Sequence, residues 1–268
     1  MERTETLATE VRGLVLKMVH KAKASHVASA LSIVDILAVL YGQVMAKNPV
    51  DPQWTQRDRF VLSKGHACAA VYATLAAVGY FPIEKLETYG DDYSWLMNHI
   101  SHHVTGVEFS TGSLGHGLPF AVGKALAAKK RGDDWRTFVV VSDGEMDEGS
   151  NWEGLLFAAH QQLSNLTVVI DYNKLQSLGA VDDTLRLEPL VDKLQAFGCA
   201  AIEVNGHDHL ELALALRAVD KSKPTVVLAH TTKGRGVSFM ENCVEWHYKN
   251  PNDEQLLQAL KELGLSNA

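Results

Sequence analysis

The sequence predicts an α/β fold in which an open, mostly parallel sheet carries helices on both faces and follows a set of N-terminal helices. Five short runs are rich in β-branched residues, at 59–63 (RFVLS), 137–142 (TFVVVS), 166–172 (LTVVIDY), 200–204 (AAIEV) and 224–230 (PTVVLAH). They show little polar alternation, as expected of strands covered on both sides. Helical stretches separate them, such as NWEGLLFAAHQQL between the second and third runs, and that order makes βαβ units. No internal repeat, low-complexity tract or linker divides the chain, so one domain over residues 1–268 is expected.

The elements follow in order. Leu7, Val11, Leu14, Val15, Met18, Val19 and Ala22 recur at helical spacing and predict an amphipathic helix over 4–24. A second, apolar helix is expected over 31–45 (LSIVDILAVLYGQVM), before the two prolines of NPVDPQW break the pattern. The five strands and their connecting helices come next, and NDEQLLQALKELGLSNA reads as a closing amphipathic helix.

Composition narrows the function. Of 268 residues, 46% are hydrophobic, enough for a substantial core, and the net charge of -7 without a Lys/Arg block excludes nucleic acid or an anionic membrane as the main partner. No apolar run reaches the about 18 residues that a membrane span requires. The three cysteines are far apart and lack metal or disulfide spacing, which fits a reducing, cytoplasmic setting.

In an open parallel sheet, ligands bind outside the carboxyl ends of the strands. Each strand here ends in a polar cluster: Lys64-Gly65-His66, Asp143-Gly144, Asp171-Tyr172-Asn173, Asn205-Gly206-His207, and 230–234. The second is the most acidic, with four carboxylates in SDGEMDEG. Asp143 and Asn173 would converge if a short crossover made their strands neighbours, and the Leu175 carbonyl could join them. Such hard oxygen ligands suit Mg²⁺ completed by a phosphate. Asp143 as a helix cap, with the other acids in the first helical turn, is the competing reading. EF-hand, P-loop and G-x-G-x-x-G spacings all fail. Twelve histidines are a further surplus, and His26, His66, His102, His103, His207 and His247 stand out in loops beside small residues. A zinc site from His99, His102 and His103 lacks a fourth ligand at a usual spacing.

Together these pieces resemble the N-terminal, diphosphate-binding half of transketolase. The resemblance rests on KAKASH (21–26), LSKGHA (62–67), GVEFSTGSLGHGLPFAVGKALA (106–127), SDGEMDEGSNWE (142–153), VIDYNKLQ (169–176), VNGHD (204–208) and HTTKGRGVSFMEN (230–242), in the family's order over about residues 5–250. It implies a thiamine-diphosphate-binding fold in which Asp143, Asn173 and the Leu175 carbonyl hold Mg²⁺ on the coenzyme. It also implies coenzyme contacts from His66, Gly112, Ser113, Leu114, Gly144, Glu145, Asn173 and His247. His26, His66, His102 and His247 would face the substrate, with His103 an alternative to His102, and Glu148 would be an interface carboxylate.

The implied reaction transfers a two-carbon glycolaldehyde unit from a ketose to an aldose. The pyrimidine-binding domain has no counterpart here and is expected on a separate C-terminal transketolase subunit, in an α₂β₂ assembly. Departures at Val27-Ala28-Ser29, Ser142 and His116 point to an unusual sugar or sugar phosphate, branched or sulfonated. The α subunit of a 2-oxo acid dehydrogenase and a non-catalytic coenzyme-binding scaffold are the alternatives.

Overall fold

In a computed structural model that describes residues 2–265, the five runs form one sheet, β1 (Arg59–Leu62), β2 (Thr137–Ser142), β3 (Leu166–Tyr172), β4 (Ala200–Asn205) and β5 (Thr225–His230). Its order is β1-β2-β3-β5-β4, and every neighbouring pair is parallel. The absence of alternation along the strands is explained by the pleat. Phe138 and Val140 of β2 enter one buried cluster while Val139 and Val141 enter the other, so both faces are covered.

On one face pack α1 (Glu2–Ala22), α2 (Val27–Ser32), α3 (Val34–Val39) and α4 (Cys68–Ala77), with α9 (His209–Arg217) and α10 (Asp253–Glu262). On the other lie α5 (Gly117–Arg131), α6 (Gly149–His160), the single turn α7 (Val181–Thr184) and α8 (Leu190–Ala196). Among the described residues, no helix is long and apolar enough to cross a membrane.

Two helical expectations need correction. The helix expected over 31–45 is instead α2 and α3, broken at Ile33, followed by a wider turn over Leu40–Val44. Ser32 Oγ donates to the Ser29 carbonyl at 3.0 Å and to Asp171 Oδ2 at 2.7 Å, and such back-bonding by serine bends a helix. The closing helix starts where expected, under a capping box made by Asn252 and Gln255, but stops at Glu262; the last three residues of the expected helix lie outside the described range.

Because β2 and β3 are neighbours, with Ser142 opposite Asp171, the loops that leave them start side by side. That single topological fact brings Asp143 and Asn173 together.

Candidate active site

A cleft of about 190 Å³ opens at the carboxyl edge of the sheet, lined by residues from the ends of β1, β2, β3 and β5 and by His26 and Ser29 at the start of α2. Asp143 sits at its floor, 1% exposed. Its Oδ1 accepts from Gly144 N at 2.8 Å, capping the 3₁₀ turn Gly144–Asp147, and its Oδ2 accepts from Lys174 N at 2.5 Å. The capping reading and the ligand reading therefore fall on the same side chain. Burial, and then the charge of Asp171, push the Asp143 carboxyl up to about 6, because only backbone N–H groups compensate it directly.

Next to it, Asn173 donates Nδ2 to Asp171 Oδ2 at 3.1 Å, and its Oδ1 accepts from Leu175 N at 3.1 Å. The Leu175 and Gln176 carbonyls accept from Lys233 Nζ at 2.9 and 3.1 Å. Lys233 is 2% exposed, and burial followed by repulsion from Lys64 brings its ammonium down to about 8. It thus bonds carbonyls rather than a carboxylate, leaving positive charge turned to the cleft. Gly144 keeps this floor open, since a Cβ there would lie 2.7 Å from Gln176 Cγ.

The donor chemistry fits a magnesium diphosphate. One under-compensated carboxylate, an amide oxygen and a carbonyl are hard oxygen ligands, and Mg²⁺ usually takes few protein ligands and is completed by phosphate and water. Lys233 and the buried Lys64 supply cationic charge for the anion. Among the described residues, no group of three or more His, Cys, Asp or Glu side chains is arranged to hold a metal, so the zinc triplet is not formed.

Four histidines crowd the mouth of the cleft. The His26 ring lies 5.2 Å from His66, 5.7 Å from His99 and 5.1 Å from His247, and His66 lies 5.5 Å from His247, between ring centroids. His26 adopts a left-handed φ of 73° and is held by its N–H on the His247 carbonyl at 2.8 Å. Burial, then the neighbouring cationic groups, lower the His26 imidazole to about 4 and His247 to about 3, while His66 falls well below the ordinary value and burial also lowers His99. All four are neutral imidazoles at pH 7, each with one donor and one acceptor nitrogen.

Several expected residues are placed differently. His102 is exposed, bonded through Nδ1 to Ser110 Oγ at 2.6 Å and stacked on His103 at 4.3 Å, so neither faces the cleft; His99 does. The choice is made by Tyr72, whose hydroxyl donates to the His99 carbonyl and accepts from Ser101 N, both at 3.1 Å. Glu145 is fully buried and does not line the cleft. It is a buttress, accepting from Ser63 Oγ at 2.5 Å, Gly115 N at 3.0 Å and Ser142 N at 3.2 Å, and so pins the loop before α5 to the ends of β1 and β2. Gly112 and Leu114 of that loop line the cleft, whereas Ser113 between them is exposed and does not. Glu148 is exposed at the N-cap of α6, beside Gly115.

Ser29, Lys64, His99, Gln176 and Lys233 line the cleft without having been assigned roles from sequence. For the two lysines the signal was present, a cation directly after a strand and inside a matching segment. For Ser29 and Gln176 no local pattern marks the position.

Comparison with known proteins agrees with this site. Residues 3–268 match the family model described as transketolase, thiamine diphosphate binding domain. One of the two apulose-4-phosphate transketolase chains of Phocaeicola vulgatus, named as a subunit of that enzyme, is 39% identical over 98% of this chain and 94% of its own. The 6-deoxy-6-sulfo-D-fructose transketolase subunit SqwG of a Clostridium species is 39% identical over 96% of this chain and 94% of its own. Among solved structures, the transketolase of Campylobacter jejuni superposes with a TM-score of 0.93 at 30% identity, over 100% of this chain and 44% of that one. This chain spans less than half of that longer polypeptide. The chain belongs to the transketolase family of enzymes, as its thiamine-diphosphate-binding domain.

Proposed function

We propose that the chain is the diphosphate-binding subunit of a two-chain, cytoplasmic transketolase that moves a glycolaldehyde unit from a ketose to an aldose, using thiamine diphosphate and Mg²⁺. The observation that carries this reading is the juxtaposition, in one cleft, of an under-compensated buried Asp143 with four neutral histidines. Asp143, Asn173 and the Leu175 carbonyl would hold the metal, and Lys233, Gly144 and His66 the diphosphate. When bound, the coenzyme supplies the carbanion equivalent that makes and breaks the carbon–carbon bond.

The remaining work falls to this chain's own residues. A neutral imidazole can take a proton at one nitrogen and give one at the other, as general acid–base steps at a ketose carbonyl and hydroxyl require. Clustering keeps the rings neutral, because a proton on His26 would be opposed by Lys64 and Lys233 as well as by burial. His26, His66, His99 and His247 are assigned this part, with His99 in place of His102.

The cleft of about 190 Å³ is smaller than the about 300–1,000 Å³ of ordinary small-molecule sites, which suits one end of a coenzyme whose other end lies against a second chain. Two relatives matched over nearly their whole length are named as subunits, which supports a separate C-terminal partner and an α₂β₂ assembly with Glu148 at the interface. The sugars in their names, a branched sugar phosphate and a sulfonated ketose, support a ketose with an anionic end as donor or acceptor.

Reconstitution with the partner chain should give ketose-dependent glycolaldehyde transfer that neither chain shows alone. Asp143→Ala should abolish Mg²⁺-dependent coenzyme binding. Transfer by this chain alone would remove the two-chain reading, and unchanged binding would remove the metal assignment.

A further inference from the structure

His207, one of the loop histidines singled out from sequence, is not in the coenzyme cleft. It stands behind the cleft, between two wider polar cavities of about 490 Å³ each. Its Nδ1 is 2.7 Å from Asp35 Oδ2, and its Nε2 accepts from the backbone N–H of Thr232 at 2.8 Å. An acceptor Nε2 places the ring hydrogen on Nδ1, so the Asp35 carboxylate selects the tautomer that can hold Thr232.

Asp35 is built for that task. It is 5% exposed and also accepts from Arg12 Nη2 at 2.5 Å and from His209 Nε2 at 3.0 Å. Burial alone would raise its carboxyl, but the bonds from His207 and His209 and the Arg12 charge hold it far below the ordinary range, so it stays an acceptor. Arg12 in turn donates Nε to the Arg235 carbonyl at 3.2 Å.

These bonds converge on the segment after β5. Thr231 is tied to β3 through Tyr172 O, Thr232 to His207, Gly234 N to the Ala28 carbonyl at 3.0 Å, and Arg235 O to Arg12. Lys233 lies between these anchors, and its ammonium reaches the Leu175 and Gln176 carbonyls in the cleft. A side chain with several rotatable bonds gives a defined charge position only if its backbone is fixed on both sides.

We infer that Asp35 and His207 form a positioning relay that sets Lys233 in the coenzyme cleft through the Thr232 amide. The relay rests on the diphosphate reading above, for Lys233 matters only if an anion binds beside it. His207 touches neither coenzyme nor substrate, and acts through Lys233.

The test compares His207→Gln, whose amide oxygen can reach the Thr232 N–H, with His207→Asn, whose shorter side chain reaches only Asp35. Both are measured in the reconstituted two-chain enzyme by calorimetric titration with Mg²⁺ and inorganic diphosphate, and by hydrogen exchange of the 231–236 amides. The relay predicts that His207→Asn weakens diphosphate binding about tenfold and speeds exchange at Thr232, the size of one or two lost hydrogen bonds. His207→Gln should restore most of both. In a double-mutant cycle with Lys233→Met, the His207→Asn loss should largely vanish, since the two act as one unit.

Equal diphosphate affinity in His207→Asn and His207→Gln, with Lys233→Met still weakening it, would overturn the relay while leaving the diphosphate reading intact. Unchanged affinity in Lys233→Met and in Asp143→Ala would overturn both.

Discussion

Two carboxylates stand at the ends of adjacent strands and are treated in opposite ways. Asp171, at 0% exposure on β3, receives Lys64 Nζ at 2.5 Å, Ser32 Oγ at 2.7 Å, Asn173 Nδ2 at 3.1 Å and the Thr231 hydroxyl. Burial raises its carboxyl, but Lys64 and the hydroxyls outweigh that and hold it below the ordinary range. Asp143, equally buried after β2, has two backbone N–H groups and no direct cationic partner, and its carboxyl is driven up to about 6. Both cost desolvation, yet the fold compensates only one internally. Asp171 is a hub joining α2, β1, β3 and the segment after β5, whereas Asp143 is left for a cation from outside.

The comparison can be broken by exchanging carboxylate for amide at each position. Asp171→Asn leaves Lys64 buried without its counter-charge and should cost about 3–5 kcal/mol in urea unfolding of the coenzyme-free chain. Asp143→Asn removes a penalised charge at the expense of one backbone hydrogen bond and should cost no more than about 1 kcal/mol. If the costs were equal, Asp143 would be as structural as Asp171.

A smaller contrast lies among the histidines. In the reconstituted enzyme, His99→Asn should lower kcat/KM about 10²-fold, the usual size of a lost proton-transfer group, and His102→Asn should leave it within about twofold. The reverse ranking would restore His102 to the cleft and contradict the role given to Tyr72.

The smallest expected effect is on pH dependence. His26 drops from 6.5 to about 4 on folding, so the unfolded chain binds protons first as pH falls. The native state is undiminished above pH 6.5 and loses stability progressively as pH falls toward about 4. In urea midpoints measured across that window, His26→Gln should show a shallower decline than the wild-type chain. An identical slope would mean that His26 is not held neutral by its surroundings.

Much of this arrangement is readable from local pattern. Fully covered strands read as uninterrupted apolar runs, and once β2 and β3 are neighbours, Asp143, Asn173 and Leu175 must meet at one edge. The bend at Ile33 was not readable, because it depends on Ser32 reaching a carboxylate 139 positions away. Nor was the choice of His99 over His102, made by a tyrosine hydroxyl on α4. Glu145 and His207 share a similar history: each is a polar residue in a matching segment, and only tertiary contacts show that it supports the cleft from behind. Local pattern marked where chemistry gathers, while long-range hydrogen bonds decided which side chain faces it.

The most direct measurement is native mass spectrometry of the protein purified gently from its source, then supplied with Mg²⁺ and thiamine diphosphate. The account predicts an assembly containing a second chain, with one coenzyme and one Mg²⁺ taken up per copy of this chain. An assembly of this chain alone that takes up neither would contradict it.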